Sequence, residues 1–478
     1  MRTVGTITRI VKLGAATSAI GLALLPAAAN AASPWHQITA SNGANTDQVG
    51  LLRTADGTLH VGWYIRTGGN SYDLRHTSIS ADGAVQATTS IVSGWASLNN
   101  PTLVTAPGGT LQVFFGGIHT TAFDDPNQDL NTATSGDGGA TWAVQPGDVA
   151  APGAAAYGSP IAATTVGGGL TPYETWFGTL GVWVHAGQSS ATPNFNYQSF
   201  GCCGYDSNIA SNSGGTTMLA WFSNASGHLG VYAEQVASDG SPVGAPLNMP
   251  GTSNMSVMEL GRTPLVARPS GDFYIAYATG YPPLNTIRLW RVGTSSATTI
   301  SRIPSNGGEP TATAAAAPDG RLWVIWKRDI NGRPHIFVVR SNRGLTRFGA
   351  VVDAGAAPGA FSAYRVDGNA LVSALDLFAS FSIGTGPSVA TWYRRVLPGL
   401  TLTAAPSTLH RGRSTRVTFA VTDAGDPLNG ARVRAAGLSA ATNSKGKATL
   451  ELTAQHSLKA TATRAGYVPG TTRINVKR

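Results

Sequence analysis

From Asp47 to Val396 the chain runs in short apolar stretches of alternating period, each cut by a turn rich in Gly, Asp or Asn. A period of two with such punctuation predicts half-buried β-strands joined by hairpins. The runs repeat. "DQVGLLRTADGTLHVGWYI" from Asp47, "NNPTLVTAPGGTLQVFFGG" from Asn99 and "RTPLVARPSGDFYIAYATG" from Arg262 share one plan. "EPTATAAAAPDGRLWVIWK" from Glu309 and "FSAYRVDGNALVSALDLFA" from Phe361 follow it, while copies from Gly158 and Asp206 fit more loosely. Each copy predicts a short strand, a Gly-containing turn and a more apolar strand. The spacing of roughly 47–60 residues is that of propeller blades rather than helical solenoids.

The pattern therefore predicts an all-β chain: a β-propeller of seven blades, or six if one weak copy is an insertion. The last copy has room for a third strand at 388–396 but not a fourth. "WHQITA" (35–40) is predicted to supply it and close the ring, which removes the open sheet edge.

Composition adds a compartment. Arg2, Arg9 and Lys12 precede a small-apolar run that ends at Ala29-Asn30-Ala31. That order reads as a secretory signal peptide over 1–31, and no later stretch is long and apolar enough to span a bilayer. A secreted, extracellular protein is expected, with the propeller over 32–396 and a second domain over 397–478. Charge separates the two. The segment from Leu397 holds twelve Lys/Arg against Asp423, Asp426 and Glu451, so the net +9 belongs to it and the propeller is slightly acidic. An acidic body argues against nucleic acid as a partner. The HExxH, GxSxG, Walker and EF-hand patterns are absent, and no cofactor or metal is expected.

One motif is specific. "SGDGGATW" places Ser135, Asp137, Gly139, Thr141 and Trp142 in the Asp-box pattern S-x-D-x-G-x-T-W, with degenerate relatives at 80–85, 238–243 and 341–348. Asp137 is positioned to accept bonds from turn N–H groups while Trp142 packs on the blade. With this motif, residues 35–396 resemble the sialidase-like Asp-box (BNR) propeller superfamily. The resemblance implies a carbohydrate-active protein. In a sialidase, three arginines clamp a carboxylate, a Tyr is activated by a Glu and an Asp serves as acid. Here Arg262, Arg328, Arg333, Tyr205 and Glu259 are the residues available. "SRIP" at 301–304 falls too late in the chain for the F-R-I-P stretch of bacterial sialidases.

Propeller topology locates the site. The Asp box is the turn between a blade's third and fourth strands, so ligands belong on the opposite face, where each first strand begins. Asp47, Asn100, Tyr157, Tyr205, Asp206, Glu259, Arg262 and Glu309 fall there; His119, Arg328 and Arg333 lie in loops after second strands. Asp206, Glu259, Asp47 and Glu309 are the candidate carboxylates for glycoside cleavage, which needs a proton donor and a second acid group. A lyase would use His119 or Tyr205 as base beside Arg262. Each acidic residue also suits a plain turn or cap, and "KRDINGR" also reads as a hairpin with solvated charges.

Cys202 and Cys203, the only cysteines, are adjacent and fall on this face. In an oxidising compartment they can close on each other. Neighbouring Cα atoms are about 3.8 Å apart, shorter than the usual ~4.4–6.8 Å, so closure strains the backbone. The result is either a sulfur plate for stacking a sugar ring or a purely local ring; free thiols, metal binding or intermolecular bridges are the remaining alternatives.

After "VLPG" (396–399) strict alternation predicts strands in "RVTFAVTD", "GARVRAAG", "KATLELTA" and "LKATATRAGY", with turns at Asp426-Pro427, Asn443–Gly446 and Pro469-Gly470. "DPLNGARV…TNSKGKATL" resembles bacterial immunoglobulin-like or carboxypeptidase-regulatory-like modules, which implies a small β-sandwich. Its charge suits an anionic cell-wall polymer, or simply a solvated surface. The leading expectation is a monomeric glycoside hydrolase acting on an extracellular glycan or polysaccharide. A non-catalytic glycan- or cell-surface-binding propeller is the alternative, with a polysaccharide lyase as a further one.

Overall fold

The computed structural model describes residues 34–39, 48–69, 71–99, 101–119, 129–145, 149, 161–166, 171–178, 181–188, 191–197, 203–253, 261–279, 285–303, 311–384 and 389–478. Residues 1–31, where a leader is expected, lie outside them. Up to Val396 the described residues form seven antiparallel sheets of four strands, one with a fifth short strand. Their innermost strands are Gly50–Arg53, Thr102–Thr105, Ala162–Val166, Gly204–Ser211, Leu265–Ala267, Ala312–Ala316 and Ala360–Ala370. Each touches the next, and the last touches the first, so the sheets stand in a ring around one axis. This is the β-propeller architecture.

Small side chains explain the approach to the axis. The inner strands AATTV and ATAAA leave a central cavity of about 330 Å³ lined by all seven. The apolar core lies between adjacent sheets rather than in one mass. Trp176, Trp221, Trp290 and Trp323 are fully buried there, each filling space that neighbouring twisted sheets leave. Burying one such side chain contributes roughly 1.5–3 kcal/mol.

"WHQITA" closes the ring as its position predicts. His36–Gln37 pairs antiparallel with Val389–Val396, His36 opposite Tyr393. Thr39 Oγ1 accepts the Thr391 N–H at 2.9 Å, and Trp35 donates to the Ala354 carbonyl at 3.0 Å.

One repeat turns in a different place. The Asp367-Gly368 pair reads as the turn of the last copy, but it lies inside the strand Ala360–Ala370, and the turn is at Leu371–Ala374. A Cβ on Gly368 would stand 2.6 Å from Ile325 Cδ1, so the glycine serves close packing here, not a reversal.

In the Ser135–Trp142 turn, Asp137 accepts the Thr141 N–H at 2.9 Å and the Thr141 hydroxyl at 2.6 Å. Ser135 Oγ accepts the Gly139 N–H at 2.8 Å. Trp142 lies edge-on to His76 of the preceding sheet, so this turn fastens one sheet to the next.

Beyond Val396 two further sheets share one apolar core that includes Leu402, Phe419, Val433, Leu452 and Ile474. The Asp426-Pro427 turn expectation is corrected: Ala424 and Gly425 make the reversal with φ of 53° and 95°, and Asp426 pairs with Asp423. Gly470 likewise opens the strand Gly470–Lys477 instead of turning. The Asn443–Gly446 turn stands, with Asn443 Oδ1 accepting the N–H groups of Lys445 and Lys447. Buried charges join the module to the ring. Arg340 meets Asp423 at 2.8 Å and Arg321 meets Asp426 at 2.6 Å.

Candidate functional site

The entry face is where the innermost strands begin. At its centre sits Arg262, whose guanidinium donates to the carbonyls of Val49 (3.1 Å), Pro101 (2.5 Å) and Ile161 (3.0 and 2.7 Å). These carbonyls precede or open the inner strands of the first three sheets. Burial lowers the Arg262 pKa to about 10, with Asp367 opposing the shift. Asp367 is buried too, which raises its carboxyl, while Arg262, the Gly368 N–H (2.7 Å) and Gln48 (3.4 Å) hold it down. Gln48 links the two by accepting the Arg262 backbone N–H at 2.9 Å.

This corrects the expectation for Arg262. Four of its five N–H donors are spent on backbone, so it plugs the axis and is not a clamp for a substrate carboxylate. Arg328 and Arg333 lie on the hairpin joining Leu322–Ile330 to Arg333–Arg340. Asn331 and Gly332, at φ 52° and 73°, form its two-residue turn, the geometry that an Asn-Gly pair favours. The register places both arginines on one face of that hairpin.

The fourth sheet brings another group together. Cys203 and Asp206 both have left-handed backbone, φ 72° and 55°, on either side of Gly204-Tyr205. Two such non-glycine residues in four cost of order 1–3 kcal/mol each, and strain of this kind clusters at ligand sites. The segment is held at both ends. The Cys203 carbonyl accepts the Asn224 N–H at 2.8 Å, and the Asp206 carbonyl accepts the Thr263 N–H at 2.6 Å. Gly204 cannot carry a larger residue freely, since a Cβ there would lie 3.1 Å from Val182 and 3.3 Å from Trp221. Cys203 is disulfide-bonded; Cys202 lies outside the described residues.

Around Asp206 three buried hydroxyls lack a protein partner: Ser207 Oγ, Thr263 Oγ1 and Tyr277 Oη. Burial, reinforced by the charge of Asp206, holds the Tyr277 hydroxyl well above its ordinary pKa. Leu265 pairs with Ile275, and continuing that register sets Thr263 opposite Tyr277. Buried polar atoms without partners are rare and mark a place for water or a polar ligand. The arrangement offers a carboxylate, hydroxyl donors and acceptors, and a rigid edge.

Tyr277, Gln48 and Asp367 escape sequence reasoning. Tyr277 reads as one more aromatic in "FYIAYAT", and no local pattern tells its hydroxyl from a core ring. Asp367 is hidden by the apparent Asp-Gly turn. Of the other expected residues, Tyr205 is half-buried against the core between the fourth and fifth sheets. His119 is exposed and lies edge-on to Trp95. Asp47, Asn100, Tyr157, Glu259 and Glu309 lie outside the described residues. Glu174, the remaining glutamate of the early copies, is fully buried in a middle strand opposite His185, and burial raises its carboxyl well above the ordinary range.

No family model matches the chain, and no curated protein does. Solved structures do match. A protein of unknown function from Dyadobacter fermentans is 11% identical, covering 77% of this chain and 99% of its own, with a TM-score of 0.45. An ulvan lyase bound to a glucuronic acid–sulfated rhamnose unit is 11% identical, covering 76% and 96%, at 0.45. A further polysaccharide lyase is 12% identical, covering 73% and 89%, at 0.43. Likeness at this level carries no argument about activity.

Proposed function

We propose that the chain is a secreted carbohydrate-active protein, a glycoside hydrolase whose glycan lies on the entry face over Cys203–Asp206. The observation that carries this reading is the strained segment itself: it presents Asp206 beside three unpartnered buried hydroxyls. Asp206 is then one carboxylate of the pair that cleavage requires, with Glu259, Glu309 or Asp47 as its partner. One acid delivers a proton to the leaving oxygen while the other carboxylate activates water or attacks carbon. Tyr205, half-buried, offers its exposed part for stacking, and the Tyr277 hydroxyl, which makes no bond within the protein, is placed to bond a glycan oxygen.

The same reading takes 1–31 as a secretory leader, 32–396 as a seven-bladed Asp-box propeller and 397–478 as an immunoglobulin-like module. Cys202 and Cys203 close on each other as a plate beside the sugar. A non-catalytic glycan-binding propeller is the second reading, and the engagement of Arg262 by backbone carbonyls favours it. Without that arginine the sialidase and lyase mechanisms both lose their carboxylate-neutralising group.

The experiment is a screen of the mature protein against plant, bacterial and host glycans, scoring released sugars and unsaturated products. Wild type is compared with Asp206→Asn, Glu259→Gln and Tyr277→Phe. A saturated product lost in Asp206→Asn establishes the hydrolase. An unsaturated product establishes a lyase instead. Retention on one glycan without any product moves the assignment to the binding protein.

A further inference from the structure

The five-stranded sheet of the C-terminal module has one face in the core and one in water. Its order is Thr408–His410, Gly470–Lys477, Leu458–Thr463, Arg432–Ala435 and Leu438–Ala441. Leu409, Ile474, Ala460, Ala462, Val433 and Ala435 point inward and are buried. By alternation the outer face carries Arg432, Arg434, Lys459, Arg473 and Lys477, all exposed. Between them stand the hydroxyls of Thr461, Thr463 and Thr471.

None of these five cations enters an ion pair among the described residues. The module's three acids are all placed elsewhere. Asp423 and Asp426 meet Arg340 and Arg321 of the ring, and Glu451 faces Arg416 across strands of the other sheet. The outer face is therefore cationic without compensation. Lys459 and Arg473 are direct cross-strand neighbours, a like-charge pairing that costs stability. A fold that places opposite charges together on one sheet and like charges together on the other does not follow from solubility alone.

We propose that this face binds an anionic polysaccharide, a glycan bearing carboxylate or sulfate groups. Neighbouring strands are about 4.8 Å apart, and alternate residues along a strand are about 6.8 Å apart, so the cations form a row suited to a repeating polyanion. The threonine hydroxyls between them match sugar hydroxyls. The outer positions of these strands hold no Phe, Tyr or Trp and a single imidazole, His410 beside Lys477, whereas single-stranded nucleic acid depends on a series of aromatic rings for stacking. The proposal is independent of the entry face and of any activity there.

The test uses the full mature chain with polygalacturonate, heparin, neutral dextran and a 30-nucleotide single-stranded DNA as probes. Two triple variants are compared with wild type: Lys459→Gln/Arg473→Gln/Lys477→Gln on the proposed face, and Arg416→Gln/Lys445→Gln/Lys447→Gln away from it. The expected result is salt-sensitive binding to polygalacturonate or heparin, weakened at least tenfold in the first variant and less than threefold in the second. Preference between the two glycans distinguishes carboxylate from sulfate. Equal weakening in both variants, equal affinity for the DNA, or no retention at low salt overturns the proposal. Thermal unfolding of the first variant is expected at or above the wild-type temperature, because a like-charge pair is removed.

Discussion

Gly139 lies against the ring of His76, so close that a Cβ added at 139 would stand 2.1 Å from His76 Cε1. The glycine also has φ of +91°, and its carbonyl accepts the Thr89 hydroxyl at 2.8 Å. The Ser135–Trp142 turn of the second sheet is thereby seated on the first. Gly139→Ala is expected to destabilise by about 2–4 kcal/mol in denaturant unfolding, from strain and overpacking together. Gly138→Ala, at φ +72° with nothing within 4 Å of the added carbon, is expected to cost about 1 kcal/mol.

His76 also titrates in a useful place. Burial, with His60 at 3.0 Å, lowers its pKa to about 4. Between that value and the ordinary 6.5 the unfolded chain binds a proton that the folded chain refuses. The stabilisation is complete above pH 6.5 and is lost as pH falls through 4. Glu234 acts with the opposite sign in an overlapping range. Burial raises its carboxyl to about 7, so its ionisation penalty grows as pH rises from 4.5 to 7. Unfolding free energies from pH 4 to 8 are expected to rise less steeply in His76→Gln. Glu234→Gln is expected to gain about 1–2 kcal/mol at pH 8, after allowance for screening.

Arg262 gives a prediction in which charge alone does not suffice. Arg262→Leu leaves three carbonyl groups unpaired and Asp367 without its cation, an expected cost of about 3–5 kcal/mol. Arg262→Lys keeps the charge but not the planar fork, and is expected to recover less than half of that loss. Thermal unfolding of the two variants checks both numbers.

Tyr277→Phe separates function from structure. Removing a buried hydroxyl that has no protein partner is expected to leave stability unchanged or raise it by about 1 kcal/mol. Glycan binding or turnover is expected to fall in the same variant. Loss of stability with unchanged glycan handling would show the hydroxyl to be a structural group.

At the junction of ring and module, Asp423 also accepts the Tyr467 hydroxyl at 3.2 Å, while Arg340 and Arg321 approach from the ring. Asp423→Ala leaves two buried arginines short of a counter-charge, with an expected cost of about 3–5 kcal/mol. Calorimetry on this variant is expected to resolve ring and module as separate transitions.

Strand runs, hairpin order and the closing role of "WHQITA" were legible because each is written locally, in a period of two and its turn residues. The hydrogen-bonded turn at Ser135–Trp142 was legible for the same reason. Arg262 was not: its partners Val49, Pro101 and Ile161 come from three other sheets, and only the closed ring brings them to one guanidinium. The Asp426-Pro427 expectation failed because a strong turn signal sits two residues past the actual reversal at Ala424-Gly425. For the entry face, the sequence singled out Asp206 and Tyr205 but not Tyr277, whose significance lies in what its hydroxyl fails to touch.

The stitch between His36 and Tyr393 carries a consequence for synthesis. A ribosome that has finished six of the seven sheets has made nothing that can shut, because the partner of the earliest strand is among the last ring residues to emerge. The first strand must wait, unpaired, while more than 350 residues follow it. The growing chain thus resembles an open bracelet whose clasp is cast at both ends, and whatever shields the waiting edge during that interval governs the yield of closed rings.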